Sequence, residues 1–348
     1  MRIIESDAVF MEQGAGSPGL YEHIEKCGRT CYKSERNIKE NSAIGFVTAM
    51  INSNHGAMLE HGTVYLKDEQ WCGSLLEKYK GNKYSRYKKV HLDSETIEDG
   101  NDCYTDHKYG YYVTTNLRVL VENGWLDDLK YLCEPTEHHE RRYTIRFICD
   151  RGVTHELVRH RKFSFAQESS RYCNYGDENK FGKELTFICP SWIGYDEFME
   201  RYKAFEAFET NGLKNVLIDM ITEEKINDNL TESEIDDAMK ERCTIMLIHE
   251  MMMSEKIYMY LIGHGYKPQQ ARFVLPTGIK SEICMTGFAS DWRFFFDLRL
   301  FGKTGAPHPD MLRVAEIAKK RFEESGVWTD IMSYKSKFSA GTTDKMSC

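Results

Sequence analysis

Proline is scarce in this chain, with 7 in 348 residues, and no Pro/Gly/Ser-rich or low-complexity stretch interrupts it. Nothing marks a linker, so one domain over residues 1–348 is the expectation. Long apolar runs are absent too. The most apolar stretch, 245–262, is broken by His249, Glu250, Glu255 and Lys256, which rules it out as a membrane span. The first residues, MRIIESDAVFMEQGAGSPG, lack the apolar centre of a secretory signal, so a cytoplasmic setting is expected, or the host cytoplasm for a phage-encoded chain. Positive charge is not in excess. A net charge of -8 gives no general attraction to nucleic acid or an anionic membrane. A small phosphate ester needs only a local group of arginines. The 11 cysteines form no CxxC, and Cys27 and Cys31 have no second pair to complete a zinc site. Reduced, mostly buried thiols are expected. No GxGxxG follows a strand and no GxxxxGK[ST] occurs, so neither common phosphate cradle is written. His155 and His160 stand five apart, with Arg159 where a second zinc ligand would fall. That spacing does not share a helix face, and a guanidinium opposes a dication.

What is present reads as a helix-rich α/β or α+β chain. Residues 142–150 alternate, with Tyr143, Ile145, Phe147 and Cys149 on one side, which predicts a half-buried strand. Thr154 is then placed to cap a short helix through Glu156, Leu157 and Val158. Further strands are expected at 61–67 and 184–189. Longer helices are expected at 115–123 with Gly124 ending it, at 196–220, at 233–262 before Gly263 and Gly265, and at 310–325 after Pro309. Residues 67–106 rise in polarity and charge and read as a solvated insertion.

Three clusters carry chemistry. Between positions 159 and 171 stand Arg159, His160, Arg161, Lys162, Gln167, Ser169 and Arg171, beside few carboxylates, Glu156 and Glu168. Such a run forms either a solvated charged face or an anion cradle, since arginine presents a planar fork of donors. Its attachment to a buried strand, and the interleaved Phe163, Phe165 and Tyr172, favour a cradle for a flat ligand. An RNA- or single-strand-binding protein would use similar residues, but the acidic net charge and the lack of an RNP-like motif oppose it. The second cluster runs from Asn54 to His61, where His55 and His61 suit a turn as well as a site. The third contains Arg272, opening an apolar run, and Arg299, closing the aromatic run DWRFFFDLR. Each needs an ion-pair partner or a ligand.

The pattern Arg159-His160-Arg161, seven residues, Ser169, then Arg171-Tyr172 resembles the signature of the flavin-dependent thymidylate synthases, and the inner Ser164 matches as well. HGAMLEH resembles the family's HxxxxEH segment, QARFVLP its ARxxLP, and DWRFFFDLR its arginine-terminated aromatic segment. Ala306-Pro307-His308-Pro309 adds to the likeness. The resembling blocks cover about 20–66, 142–190 and 255–325, and 67–125 stands out as an insertion.

The resemblance implies a central, mostly antiparallel sheet flanked by long helices, with large insertions relative to the minimal family fold. It implies a homotetramer with shared active sites, FAD as cofactor, dUMP as substrate, and methylenetetrahydrofolate and NADPH as co-substrates. Polynucleotide and membrane partners are not expected. Carried over, Arg159, His160 and Arg161 would contact the flavin, with His55, Ala57, Glu60 and Gln167 also on the cofactor. Glu156, Arg159, Gln167, Glu168, Ser169, Ser170, Arg171, Arg272 and Arg299 would meet dUMP. Arg299 would be the catalytic arginine on the pyrimidine, stabilising an enolate-like anion as C5 gains electron density. Ser169 has no adjacent base in sequence, His160 being nine positions away, and is assigned to binding rather than attack. Departures from the family pattern are Glu156 where Gln is usual, Gln167 where some relatives have Glu, and Phe288 and Phe294 in place of polar flavin contacts. Retention of both Arg272 and Arg299 argues for methyl transfer over a flavoprotein of this fold that has lost it.

Overall fold

The computed structural model describes residues 1–71, 73–99, 102–210 and 231–338. In chain order these form β1 (Arg2–Ile4), β2 (Asp7–Phe10), α1 (Gly16–Thr30), α2 (Ser42–Asn52), α3 (Gly56–Leu59), β3 (Thr63–Gln70), β4 (Arg86–Asp99), β5 (Asp102–Asn116), α4 (Leu117–Asn123), β6 (Arg142–Asp150), α5 (Arg151–Leu157), β7 (Ser164–Gln167), α6 (Glu178–Phe181), β8 (Thr186–Ile188), α7 (Tyr195–Thr210), α8 (Glu232–Gly263), α9 (Pro268–Ala271), β9 (Lys280–Phe288), α10 (Ala289–Arg299), α11 (Pro309–Glu324) and α12 (Trp328–Ser333).

The alternation at 142–150 forms β6 with the expected bounds. It is an inner strand of an antiparallel sheet in the order β2-β6-β9-β7. The mixed fold with an antiparallel central sheet is therefore as expected. Arg142 pairs with Phe288, and Ser164 with Thr286, so β6 and β7 flank β9 and set the two ends of the site loop in register. One face of this sheet meets α10 and α11 through Trp292, Phe295, Phe296, Val314 and Phe322, all fully buried. Trp292 also donates from Nε1 to the Tyr143 carbonyl at 3.1 Å, which satisfies its one polar atom.

Several expectations need correction. Asp150, not Thr154, caps α5: its Oδ1 accepts from the Val153 amide at 2.8 Å. Thr154 lies inside the helix. Residues 115 and 116 end β5, and Asn116 caps α4, so that helix begins later than expected, although Gly124 does end it in a left-handed conformation. The strands expected at 61–67 and 184–189 are Thr63–Gln70 and Thr186–Ile188. The helix expected at 196–220 is described to Thr210, and the rest lies outside the described residues. The other two long helices agree within one residue at each end. Strands are more numerous than expected: β1, β2, β4, β5, β7 and β9 lie outside the expected strands, and α1, α2, α3, α6, α9, α10 and α12 outside the expected helices.

Nor are residues 67–106 merely solvated, and the rest of the insertion expected at 67–125 is packed as well. β4 and β5 form a long antiparallel hairpin on β3. Leu76, Tyr79, Tyr111 and Val113 of this region are buried against Leu20, Ile24 and Val47 of α1 and α2. Cys27, Cys149, Cys173, Cys189 and Cys284 are buried, as expected for structural thiols.

Candidate functional site

The loop after α5, one side of α10 from Asp291 to Arg299, and the segment from Thr304 to Pro307 converge on one cleft of about 500 Å³. Its lining includes Arg159, His160, Arg161, Lys162, Phe163, Phe294, Leu298 and Arg299. The local reasons are clear. Asp150 fixes the start of α5, and after Leu157 the chain turns through a hydrogen bond from the His160 amide to the Leu157 carbonyl at 3.0 Å. That turn buries His160 between Phe163 and Phe295 and leaves Arg159 and Arg161 exposed on either side. Phe163 can lie against β9 because residue 287 is glycine: a Cβ there would come within 2.4 Å of the Phe163 ring.

Arg299 is the last residue of α10, where a cation also suits the negative end of the helix dipole. Its Nε donates to His160 Nε2 at 3.1 Å, and its Nη1 donates to Glu156 Oε2 at 2.9 Å. His160 must therefore present a lone pair at Nε2 and carry its proton on Nδ1. Burial first, and then the neighbouring Arg299 charge, lower the His160 pKa to about 4. The three side chains fix each other: a neutral imidazole and a carboxylate orient the guanidinium, whose remaining N–H donors are left for the cleft.

The cation-rich wall faces apolar Phe163, Phe294 and Leu298. Asp291, 3% exposed, is a buried counter-charge 3.5 Å from Lys162. A cleft with guanidinium forks on one side and rings on the other fits a flat, anionic group of the flavin kind. Among the described residues no cysteine lines it.

The structure thus brings Glu156, Arg159, His160, Arg161 and Arg299 together. It places the other expected residues elsewhere on the chain. His55 and Ala57 are exposed at the start of α3. Glu60 pairs with Arg118, and its carbonyl accepts from Arg142 Nη2 at 3.1 Å. Gln167 ends β7 and donates to Thr154 Oγ1 at 2.8 Å and Ser281 Oγ at 3.2 Å. Glu168 is buried and committed to Lys280 at 2.8 Å and to the Tyr175 hydroxyl at 2.9 Å. Ser169 donates from its amide to the Cys31 carbonyl at 3.0 Å, and Ser170 beside it is buried. Arg171 is exposed with its guanidinium 5.1 Å from the Tyr172 ring. Arg272 is exposed beside Phe273, whose side chain is 94% exposed. None of His55, Ala57, Gln167 to Arg171 or Arg272 lines the Arg299 cleft.

Asp291 and Leu298 were missed by sequence reasoning. Helical spacing within DWRFFFDLR is the signal that would have found them, because it sets Asp291, Phe294, Leu298 and Arg299 on neighbouring turns.

A family described as thymidylate synthase complementing protein matches residues 134–324. That span contains β6, the 158–163 loop, β9 and α10, and not the His55 segment. A flavin-dependent thymidylate synthase from Pyrococcus furiosus is 27% identical over 186 residues, 53% of this chain and 53% of that one. One from Corynebacterium efficiens is 28% identical over 204 residues, 58% of this chain and 64% of that one. The chain spans about half the length of the first relatives it matches. Among solved structures, a UMP/dUMP methylase PolB from Streptomyces cacaoi bound with 5-Br dUMP aligns over 96% of this chain and 97% of its own, with TM-score 0.39 and 14% identity. Thymidylate Synthase X from Helicobacter pylori with FAD and dUMP aligns over 94% and 100%, with TM-score 0.33 and 12% identity. With the family match covering more than half of its length and containing the Arg299 cleft, the chain belongs to the thymidylate synthase complementing protein family.

Proposed function

We propose that this chain is a flavin-dependent thymidylate synthase that methylates dUMP to dTMP. The observation that carries the reading is the Arg299 guanidinium, oriented by Glu156 and His160 inside a cleft walled by Arg159, Arg161 and Lys162. FAD, when bound, would supply redox chemistry and relay the methylene of methylenetetrahydrofolate and a hydride, with NADPH as reductant.

The chain's own residues have separate tasks. Arg159, Arg161 and Lys162 offer charge-assisted donors to ring carbonyls or phosphate. Phe163, Phe294 and Leu298 exclude water from one side and so strengthen those contacts. Arg299 places its remaining N–H donors where the pyrimidine gains negative charge. A neutral His160 helps here. It accepts from Arg299 without adding a second positive charge, and so holds the guanidinium without repelling it. Glu156 holds the same group from the other side.

Gln167 to Arg171 and Arg272 are assigned to dUMP, with His55, Ala57 and Glu60 on the cofactor. Their separation from the Arg299 cleft within one chain suits the homotetramer with shared sites that the family resemblance implies. The large exposed side chains of Tyr172 and Phe273, beside Arg171 and Arg272, suit burial by another subunit or a ligand. The test is dTMP formation from dUMP, methylenetetrahydrofolate and NADPH with FAD supplied. Protein that stays colourless and takes up no flavin would sink the reading.

A further inference from the structure

A second cleft of about 430 Å³ adjoins the first and shares Arg161, Lys162, Phe163 and Asp291 with it. Its other wall comes from the insertion: Lys83 and Tyr84 stand just before β4, and Arg86 opens that strand. These three residues lie outside the 134–324 span of the family match.

The charge balance is one-sided. Lys83, Arg86, Arg142, Arg161 and Lys162 face Glu60 and Asp291. Glu60 is drawn off by Arg118, and Asp291 lies 3.5 Å from both Lys162 and Arg86. Glu140 adds one more carboxylate, 2.9 Å from Arg86 Nε. Among the described residues, Lys83 and Arg161 make no ion pair. Arg142 is buried, and its Nε has no hydrogen-bond partner among the described residues. Burial lowers its pKa to about 10. The ammonium of Lys337 is held below its usual range, by burial first and then by Lys162. So much like charge beside a poorly solvated wall calls for a ligand with more than one negative charge. Rings are present as well. The Phe288 face is taken by Arg86 at 4.0 Å and flanked by Arg142 at 5.3 Å. Tyr84, 54% exposed, remains open to stacking and has Lys83 over its ring at 4.8 Å.

We infer that the insertion builds the outer half of the cofactor site: Lys83, Tyr84 and Arg86, with Arg161 and Lys162, hold the diphosphate and second ring of a dinucleotide whose first ring lies beside Arg159 to Arg161. This rests on the flavin reading above and deepens it. The consequence is selectivity. FMN ends at one phosphate and does not reach the insertion wall, whereas FAD does. Phe288, which stands where a polar contact is usual, then serves as the platform that fixes Arg86.

The test is titration of the flavin-stripped full chain with FAD and with FMN, followed by flavin fluorescence, at low and high salt. Lys83→Ala, Lys83→Glu and Tyr84→Ala are exposed changes, and thermal melts will report whether the fold is kept. The wild-type chain is expected to prefer FAD. Lys83→Ala is expected to weaken FAD about fivefold, as for one exposed charge contact, and Lys83→Glu further. Tyr84→Ala should weaken FAD too, and FMN should be unchanged in all three. The salt dependence of FAD binding should be shallower in Lys83→Ala than in the wild type. Equal FAD and FMN affinity in the wild-type chain, or variants that leave FAD unchanged or weaken both flavins alike, would overturn this inference while leaving the flavin reading in place. A wild-type chain that binds neither flavin would overturn both.

Discussion

Replacing Arg299 by methionine should raise the pKa of His160 and flatten the acid-side loss of stability. In the wild-type chain burial and then the Arg299 charge hold this imidazole at about 4, against 6.5 ordinarily. Methionine keeps the packing volume and removes only the charge and the two hydrogen bonds, to His160 and Glu156. Two unit charges about 3 Å apart would interact by several kcal/mol at an effective dielectric near 20. Arg299 is partly exposed, and Glu156 offsets much of its charge. A rise of about one pH unit, ~1.4 kcal/mol, is therefore expected, with burial keeping the ring below 6.5. The linkage has a definite sign. A histidine with a depressed folded pKa binds its proton more weakly folded than unfolded. Stability is then complete above pH 6.5 and falls as pH drops toward 4, by about 3 kcal/mol for His160 alone. The variant should lose less over that window. Nitrogen-detected NMR titration of the imidazole reads both the pKa and the tautomer. A wild-type ring protonated at Nε2, or a pKa unmoved by the substitution, would refute the geometry.

The sheet interior holds two more buried histidines. His61 Nδ1, Thr286, Thr144 and His23 Nε2 form a buried chain of contacts at 2.7, 2.7 and 3.0 Å. Burial pushes His23 down to about 4 and His61 to about 3. Acid unfolding should therefore begin between pH 6.5 and 4, and circular dichroism against pH should show it; a fold unchanged through pH 4 would contradict the buried neutral histidines. Thr286→Val should cost about 1–3 kcal/mol by leaving His61 and Thr144 without their shared partner, measured by urea unfolding. Gly287→Ala should push Phe163 out of its place, costing about 1–3 kcal/mol and weakening flavin binding, since Phe163 lines both clefts. A variant with wild-type stability and flavin affinity would show that the ring relaxes freely.

How much of this was legible in the sequence follows from the physics of each element. β6 was legible because one side of the strand carries Tyr143, Ile145, Phe147 and Cys149 in strict alternation. β9 was not, because all its residues after Lys280 are buried. It lies between β6 and β7 and is covered on both faces, so no alternation is written into KSEICMTGF. The hairpin of β4 and β5 hid behind a polar composition, since most of its buried side chains, Tyr111, Tyr112, Thr114, Thr115 and Asn116, carry a polar group. α10 was masked by its aromatic density, although Asp291 in its first turn and Arg299 in its last fit the helix dipole. In the site, the Arg159 to Arg161 motif and Arg299 could be read separately, and only the fold shows them joined through His160 and Glu156. Arg86 was out of reach: its role depends on a hairpin whose packing onto Phe288 and Asp291 has no local signature.

The central claim is that Arg299, held by Glu156 and His160, acts on a pyrimidine in a flavin-bearing cleft. Tritium release from 5-labelled dUMP, compared between the wild-type chain and Arg299→Ala with FAD, methylenetetrahydrofolate and NADPH present, tests it most directly. The account predicts release by the wild-type chain and a loss on the order of 10²–10³ in the variant, with flavin absorption of the bound protein retained. Release at a near-normal rate from Arg299→Ala, or none from a wild-type chain that has taken up FAD, would contradict it.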